Sequence, residues 1–411
     1  MLYNTIHKEI TVVEIAKRAK QISPSLTLEI TARAKKMKAD GMRVVSFAAG
    51  EPDFNTPDYI IAAGHEALDK GITKYTPAAG TVELRKAICE KLKNDNALDY
   101  DISNIVVSNG AKHSLFNAFM AILNPDDEVI IPSPYWLSYP ELVKMAGGVP
   151  VFVETKAENS FKITADELKA AITPKTKAFI LNNPNNPTGA VYTRSELNAL
   201  GAVIEAHEIF VISDEIYEKL TYERRHHSIA AYSDILKERT VVINGLSKTY
   251  SMTGWRVGYA AANEQIASAM TSMQSHSTSN ANSIAQYAST VAISDKYHGD
   301  AFLEDMRATF DARRALMMLR LKRLGMDYIE PKGAFYVMAS VKKYIGMSIE
   351  GQRIRSAYDF ASILLEQAQV AVIPCEGFGS PDYIRLSYAA SEKDIERGLD
   401  AMHSFLTQLI D

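Results

Sequence analysis

Short apolar runs alternate with longer amphipathic stretches through the middle of the chain, and that alternation predicts most of the fold. Between Pro57 and Tyr297 the runs Ile105–Val107, Glu128–Ile131, Val149–Glu154, Ala178–Leu181, Phe210–Ser213, Thr240–Ile243 and Val257–Ala261 read as strands. Helical periodicity fills the gaps at Pro57–Lys70, Thr81–Asn94, Ala111–Leu123, Thr164–Ala171, Ser195–His207 and Glu264–His276. Strands that are apolar throughout are buried on both faces. The pattern therefore predicts an α/β unit with a mostly parallel, doubly covered sheet. Ligands of such sheets collect beyond the C-terminal strand ends.

The flanks read differently. Thr11–Lys20 suits a short amphipathic helix, and a dimer arm or a disordered leader both fit it. Ser25–Asp40 is a helix stopped by Gly41, Val44–Ala48 a short strand, and Ala49–Phe54 a tight loop. Downstream, Asp300–Leu324 is a long charged helix, followed by strands Phe335–Ala339 and Ile384–Tyr388 and helices Ser356–Gln367 and Ser391–Leu409. This predicts a smaller α+β unit. The expected division is 1–56 as an N-terminal arm and part of the small domain, 57–297 as the large domain, and 298–411 as the small one.

Length and composition agree with this division. At 411 residues the chain has room for about two to three domains. With 47% hydrophobic and 23% charged residues it has the composition of a soluble globular protein rather than a disordered one. A net charge of -4 gives no sign of a nucleic-acid or membrane-surface binder. Cys89 and Cys375 form neither a disulfide framework nor a metal cluster, which suits a reducing, cytoplasmic setting. No apolar run approaches the ~20 residues of a membrane helix.

The chemistry concentrates in loops after strands. Asn244–Gly258 lies between two strands and carries Lys248 and Arg256. An amine there can hold a carbonyl cofactor as a Schiff base, with the arginine on an anionic group of it; the alternative is a pair of solvated loop cations. Ser108-Asn109-Gly110-Ala111-Lys112 joins a strand to a helix, which makes either a phosphate cradle or an ordinary turn. Trp136, after another strand, can stack on a flat ring or fill the core. Asn182–Gly189 is a turn rich in amide donors. Asp214, at the end of a buried strand, either pairs with a buried cation or caps the next helix.

Taken in order, these motifs identify a resemblance to the class I pyridoxal-phosphate aminotransferases. The set is Gly110, Trp136, Asn186-Pro187-Thr188-Gly189, Asp214 with Tyr217, Lys248 with Arg256, and the late Arg385. It runs from about residue 23 to the C-terminus and implies fold type I. The resemblance further implies that Lys248 binds pyridoxal 5'-phosphate and moves the proton, while Asp214 pairs with the ring nitrogen. Tyr217 and Asn186 would bond the ring 3-oxygen, and Trp136 would stack on the ring. Gly110, Ala111, Arg256 and the partner subunit's Tyr75 would hold the phosphate. Some relatives carry a phosphate-binding Ser where Gly245 stands, and Ser247 would compensate. Arg385, assisted by the Gly50 backbone, would clamp the substrate α-carboxylate.

Ser25-Leu26-Thr27, the Gly110 turn and Met252–Arg256 are most similar to the bacterial and plant aspartate aminotransferases, a subgroup with prephenate-competent members. In that subgroup Lys112 would meet the distal carboxylate of aspartate or glutamate; otherwise it assists the phosphate or faces solvent. Thr27 is associated with prephenate. The implied reaction moves an amino group from L-aspartate to 2-oxoglutarate by a ping-pong route, in a homodimer whose Ser275–Ser283 segment reaches the neighbouring site. Rival readings are an aminotransferase for aromatic, alanine-like or kynurenine substrates, and a C–S β-lyase. A transcription regulator on this framework would need a DNA-binding domain for which the 22 residues ahead of the resemblance are too few.

Overall fold

The computed structural model describes residues 14–22 and 26–410. Its central element is a seven-stranded sheet in the order β2-β8-β7-β6-β5-β3-β4. The strands are β2 (Ile105–Ser108), β3 (Glu128–Ser133), β4 (Val149–Glu154), β5 (Thr176–Asn182), β6 (Phe210–Asp214), β7 (Thr240–Gly245) and β8 (Gly258–Ala261). All neighbours run parallel except β8, which is antiparallel to both β2 and β7. The expected mostly parallel sheet is therefore present.

Alternate side chains of each strand feed opposite layers, as a period of two requires. Val106 and Ala260 pack with Leu115 and Phe119 of α5 (Ala111–Ile122), Val143 of α6 (Ser138–Met145) and Met270 of α10 (Glu264–Ser277). Their neighbours Ile105, Val107 and Tyr259 pack with Ile60 of α3 (Asp58–Asp69), Ile88 of α4 (Val82–Asn96) and Ala288 of α11 (Ser283–Ser294). Farther along the sheet, Phe179 and Val211 meet Leu168 of α7 (Ala165–Ala171), Ile204 of α8 (Arg194–His207) and Leu236 of α9 (Asp234–Arg239). Capping boxes start two of these helices, Thr164 with Glu167 and Thr193 with Glu196.

A second core surrounds the sheet β14-β15-β10-β9. Its strands are β9 (Tyr328–Ile329), β10 (Tyr336–Ser340), β14 (Ile373–Pro374) and β15 (Tyr383–Ser387), all antiparallel. Helices α12 (Lys296–Arg323), α13 (Ala357–Ala368) and α14 (Glu392–Leu406) cover it. The chain before the large sheet joins here: β1 (Val45–Ser46) pairs in parallel with β13 (Val370–Ala371), and α2 (Leu26–Ala39) packs Ile30 and Ala34 on Met338 and Ile373. A hairpin of β11 (Ser348–Ile349) and β12 (Gln352–Arg353) lies at the periphery. Ile216, Tyr217 and Leu220, just past β6, belong to this second core, so the two cores meet beside the end of β6.

Some elements differ from expectation. The helical turn α1 (Lys17–Lys20) is the part of the expected Thr11–Lys20 helix that is seen; residues 11–13 lie outside the described residues. The pattern gave no helix at Ser138–Met145 or Ser283–Ser294. The first carries Pro140 within its opening turn, where proline is tolerated, and the second is half Ala and Ser, with weak contrast between faces. Among the described residues no helix is long and apolar enough to cross a membrane.

Candidate active site

The loops after β2, β3, β5, β6 and β7 surround one cleft of about 690 Å³, closed on its far side by α2, the Ala48–Glu51 loop and β15. β6 delivers Asp214 to the floor with only 4% of its surface exposed. Tyr139 of α6 donates to Asp214 Oδ2 at 2.6 Å, and the Ile216 amide donates to Oδ1 at 3.3 Å. Burial pushes the Asp214 carboxyl up to about 6, and these two donors limit the rise. The chain turns after Asp214 without entering a helix, so the cap reading of this residue falls away.

Lys248 stands three residues beyond the end of β7. Its amine donates to the Gly50 carbonyl and lies 5.7 Å and 5.9 Å from the ring centres of Phe335 and Tyr217. Burial lowers the ammonium to about 8; Arg385 and Arg256 push the same way, against Glu51 and Asp214. An amine that loses its proton near pH 8 is available as a nucleophile and proton acceptor far more readily than a solvated loop lysine.

The positive end of the cleft combines backbone amides with the Arg256 guanidinium. Gly110 caps α5 at φ +87°, and a Cβ on it would fall 2.4 Å from Arg256 Nη2. Arg256 donates to the carbonyls of Thr253 at 2.8 Å and Asn109 at 3.3 Å, which holds its guanidinium over the start of α5. The Ala111 and Lys112 amides lie in the unpaired first turn of that helix, an arrangement suited to a phosphate. Ser247 is buried and lines the same cleft. The glycine at 245 has a steric reason: a Cβ there would meet the Gly258 Cα and the Val257 carbonyl, each at 3.0 Å.

On the opposite wall, Arg385 is 4% exposed. It donates from Nη1 to Asn186 Oδ1 at 3.0 Å and from Nη2 to the Ala48 carbonyl at 3.4 Å, and its Nε has no acceptor among the described residues. A buried guanidinium with spare donors calls for an anion. Lys112 faces the cleft with its ammonium 4.7 Å from the centre of the Trp136 ring. Burial and then Arg256 push that ammonium below its ordinary value. Trp136 is half-buried and meets Tyr139 edge-on at 5.3 Å, so it serves both the wall and the core.

The structure thus gathers Gly50, Ala111, Lys112, Trp136, Asn186, Asp214, Tyr217, Ser247, Lys248, Arg256 and Arg385 around one cavity, with Gly110 at its edge. It leaves Tyr75 outside this set, 90% exposed. Ser275–Thr278 are also exposed. The Thr27 side chain lies outside the described residues. Sequence reasoning missed Tyr139 and Tyr336, the second of which lies 2.9 Å, oxygen to oxygen, from the Tyr217 hydroxyl.

These groups fit pyridoxal phosphate. Asp214 is a buried carboxylate with no ion pair among the described residues, Lys248 is a depressed amine, and a Cβ on Gly110 would collide with Arg256 in the cradle. When bound, that group supplies an electron sink for the substrate carbon.

The comparisons point the same way. The family model for aminotransferase class I and II matches residues 42–402. The chain is 49% identical to an aspartate aminotransferase of Bacillus subtilis, covering 96% of this chain and 99% of that one. It is 44% identical to an aspartate/prephenate aminotransferase of Cereibacter sphaeroides over 95% and 98% of the two. Among solved structures, aspartate aminotransferase from Thermus thermophilus with maleate superposes with a TM-score of 0.91 at 40% identity, covering 96% of this chain and all of that one. Local geometry and whole-chain likeness agree: the chain belongs to the class I and II aminotransferases, enzymes of fold type I that depend on pyridoxal phosphate.

Proposed function

We propose that the protein transfers the amino group of L-aspartate to 2-oxoglutarate, giving oxaloacetate and L-glutamate. The observation that carries the proposal is one cavity whose lining cations include Arg385, buried with a spare donor, and Lys112 beside Trp136, with the Lys248 amine in the same cavity; Lys35 and Lys38 of α2 line it as well. Dicarboxylate substrates have two anionic ends to match. The aspartate aminotransferases among its relatives support the same substrate.

In this reading Arg385 and the Gly50 backbone hold the α-carboxylate, and Lys112 the distal one. Lys248, with its depressed basicity, would take the proton from the substrate carbon and carry it. Asp214, steadied by Tyr139, would keep the ring nitrogen protonated, and Tyr217 and Asn186 would bond the ring oxygen. Trp136 would cover the ring. Gly110, Ala111, Ser247 and Arg256 would bind the phosphate. Tyr75 completes that set from a partner subunit, which makes the working unit a homodimer in the cytoplasm; its exposure here supports this assignment. Residues 57–297 form the cofactor-binding domain, and 298–411 together with the N-terminal segment form the smaller one.

Steady-state kinetics test the substrate assignment. In Lys112→Met, kcat/KM for aspartate should fall roughly tenfold or more, the worth of one charged hydrogen bond, while that for alanine should hold. Equal losses for both would overturn it. The relative named for aspartate and prephenate supports prephenate as a further amino acceptor, giving arogenate. Competition between prephenate and 2-oxoglutarate checks this directly.

A further inference from the structure

Tyr336 lies in β10, 1% exposed, outside every motif of the chain. Three functional groups converge on it. Its hydroxyl is 2.9 Å from that of Tyr217, with the rings edge-on at 5.8 Å and 82°. The Arg385 guanidinium sits 4.3 Å from its ring centre. A Cβ on Gly50, whose carbonyl receives the Lys248 amine, would lie 3.9 Å from the Tyr336 oxygen. Strand pairing fixes this arrangement: Tyr336 faces Ser387 across the ladder, so Arg385 is its diagonal neighbour on the same face.

We infer that Tyr336 is a positioning residue that couples the carboxylate-binding Arg385 to the Tyr217 hydroxyl. A cation over a phenol ring draws electron density from it and makes its O–H a stronger donor. Tyr336 then donates to Tyr217, and the Tyr217 proton is left to point into the cleft, toward the ring oxygen of the cofactor. A carboxylate arriving at Arg385 neutralises that cation and weakens the Tyr336 donor. Tyr217 in turn becomes a weaker donor toward the cleft. Substrate binding on one wall is thereby felt at the cofactor through two phenols. This path is separate from the direct bond between Arg385 and Asn186.

The inference rests on the cofactor assignment proposed above, and its test separates the two. The visible absorption of holoenzyme is titrated against pH with and without succinate, in the natural protein and in Tyr336→Phe, which keeps the ring and its packing. Asp214, Glu51 and Arg256, the other charges acting on Lys248, are unchanged by this substitution. The free variant should titrate at a pH higher by about half a unit or more, because Tyr217 has lost its donor. Its response to succinate should be smaller than that of the natural protein. In a Tyr217→Phe background the further change to Tyr336→Phe should shift nothing. Midpoints and succinate responses matching the natural protein would overturn the coupling while leaving the cofactor reading in place. So would a Tyr336→Phe shift that persists without the Tyr217 hydroxyl. A natural protein with no visible cofactor band would overturn both.

Discussion

Arg385 Nη1 donates to Asn186 Oδ1 at 3.0 Å, joining β15 of the smaller sheet to the loop that follows β5 of the larger one. The two residues are 199 positions apart. The bond means that the arginine proposed to bind the substrate carboxylate is aimed by an amide proposed to touch the cofactor. Removing the amide in Asn186→Ala leaves a buried guanidinium without one acceptor. Lost hydrogen bonds to charged groups cost about 1.5–3 kcal/mol, so kcat/KM for aspartate should fall roughly tenfold to a hundredfold. Stopped-flow or coupled steady-state assays read the change.

Lys248 carries a pH prediction. Burial lowers its ammonium to about 8, against an ordinary lysine near 10.4. Reductive methylation of the cofactor-free protein, followed residue by residue by mass spectrometry, should show Lys248 gaining reactivity around pH 8, below the range of an ordinary lysine. The linkage sign follows. The folded state gives up this proton more readily than the unfolded one, so the group costs stability below pH 8. That cost is relieved as pH rises from about 8 toward 10.4.

Gly110 tests the anion cradle. Its φ of +87° and ψ of 160° are nearly exclusive to glycine, and an added Cβ would collide with Arg256. Gly110→Ala should cost about 1–3 kcal/mol of stability from backbone strain. It should also weaken cofactor binding by much more than it weakens the fold, because Arg256 must swing away. Equilibrium dialysis of the cofactor beside urea unfolding distinguishes the two effects.

Lys91 tests a part of the molecule behind the site. Its ammonium pairs with the buried Glu218, and Asn96 donates to the same carboxylate at 2.7 Å. Burial opposes ionisation of Glu218, but Lys91, His226 and Lys219 together outweigh it and hold the carboxyl down at about 2. The stability this supplies is full above the ordinary glutamate value and is lost as pH falls from about 4.3 toward 2. Lys91→Met should destabilise the protein by about 3–5 kcal/mol, since it strands a buried charge. Lys91→Met with Glu218→Gln should recover much of that loss. Denaturant unfolding of the three proteins checks both statements.

How much of this was legible in the sequence depended on the range of the interactions. Lys248, Asp214 and Gly110 were legible because each lies at or just past the end of an apolar strand, and the ordered set of motifs, rather than any one of them, separated a ligand-facing loop from an ordinary turn. The covered sheet was legible from the same apolar strands. Tyr139 was not, because a tyrosine three residues past Trp136 reads as core, and its partner Asp214 is 75 positions away. Tyr336 is likewise defined by Tyr217, 119 positions away, and by a strand register that periodicity does not reveal. The Lys91–Glu218 pair joins α4 to the turn after β6, and in sequence both residues look like ordinary surface charges.

The most direct test of the central claim is the visible spectrum of the holoenzyme when L-aspartate is added with no oxo acid present. Aspartate should bleach the bound pyridoxal phosphate band in stoichiometric amount, and 2-oxoglutarate should then restore it. A band that aspartate leaves unchanged, while alanine, an aromatic amino acid or cystathionine discharges it, would contradict the assignment of Lys112 and of the dicarboxylate substrate.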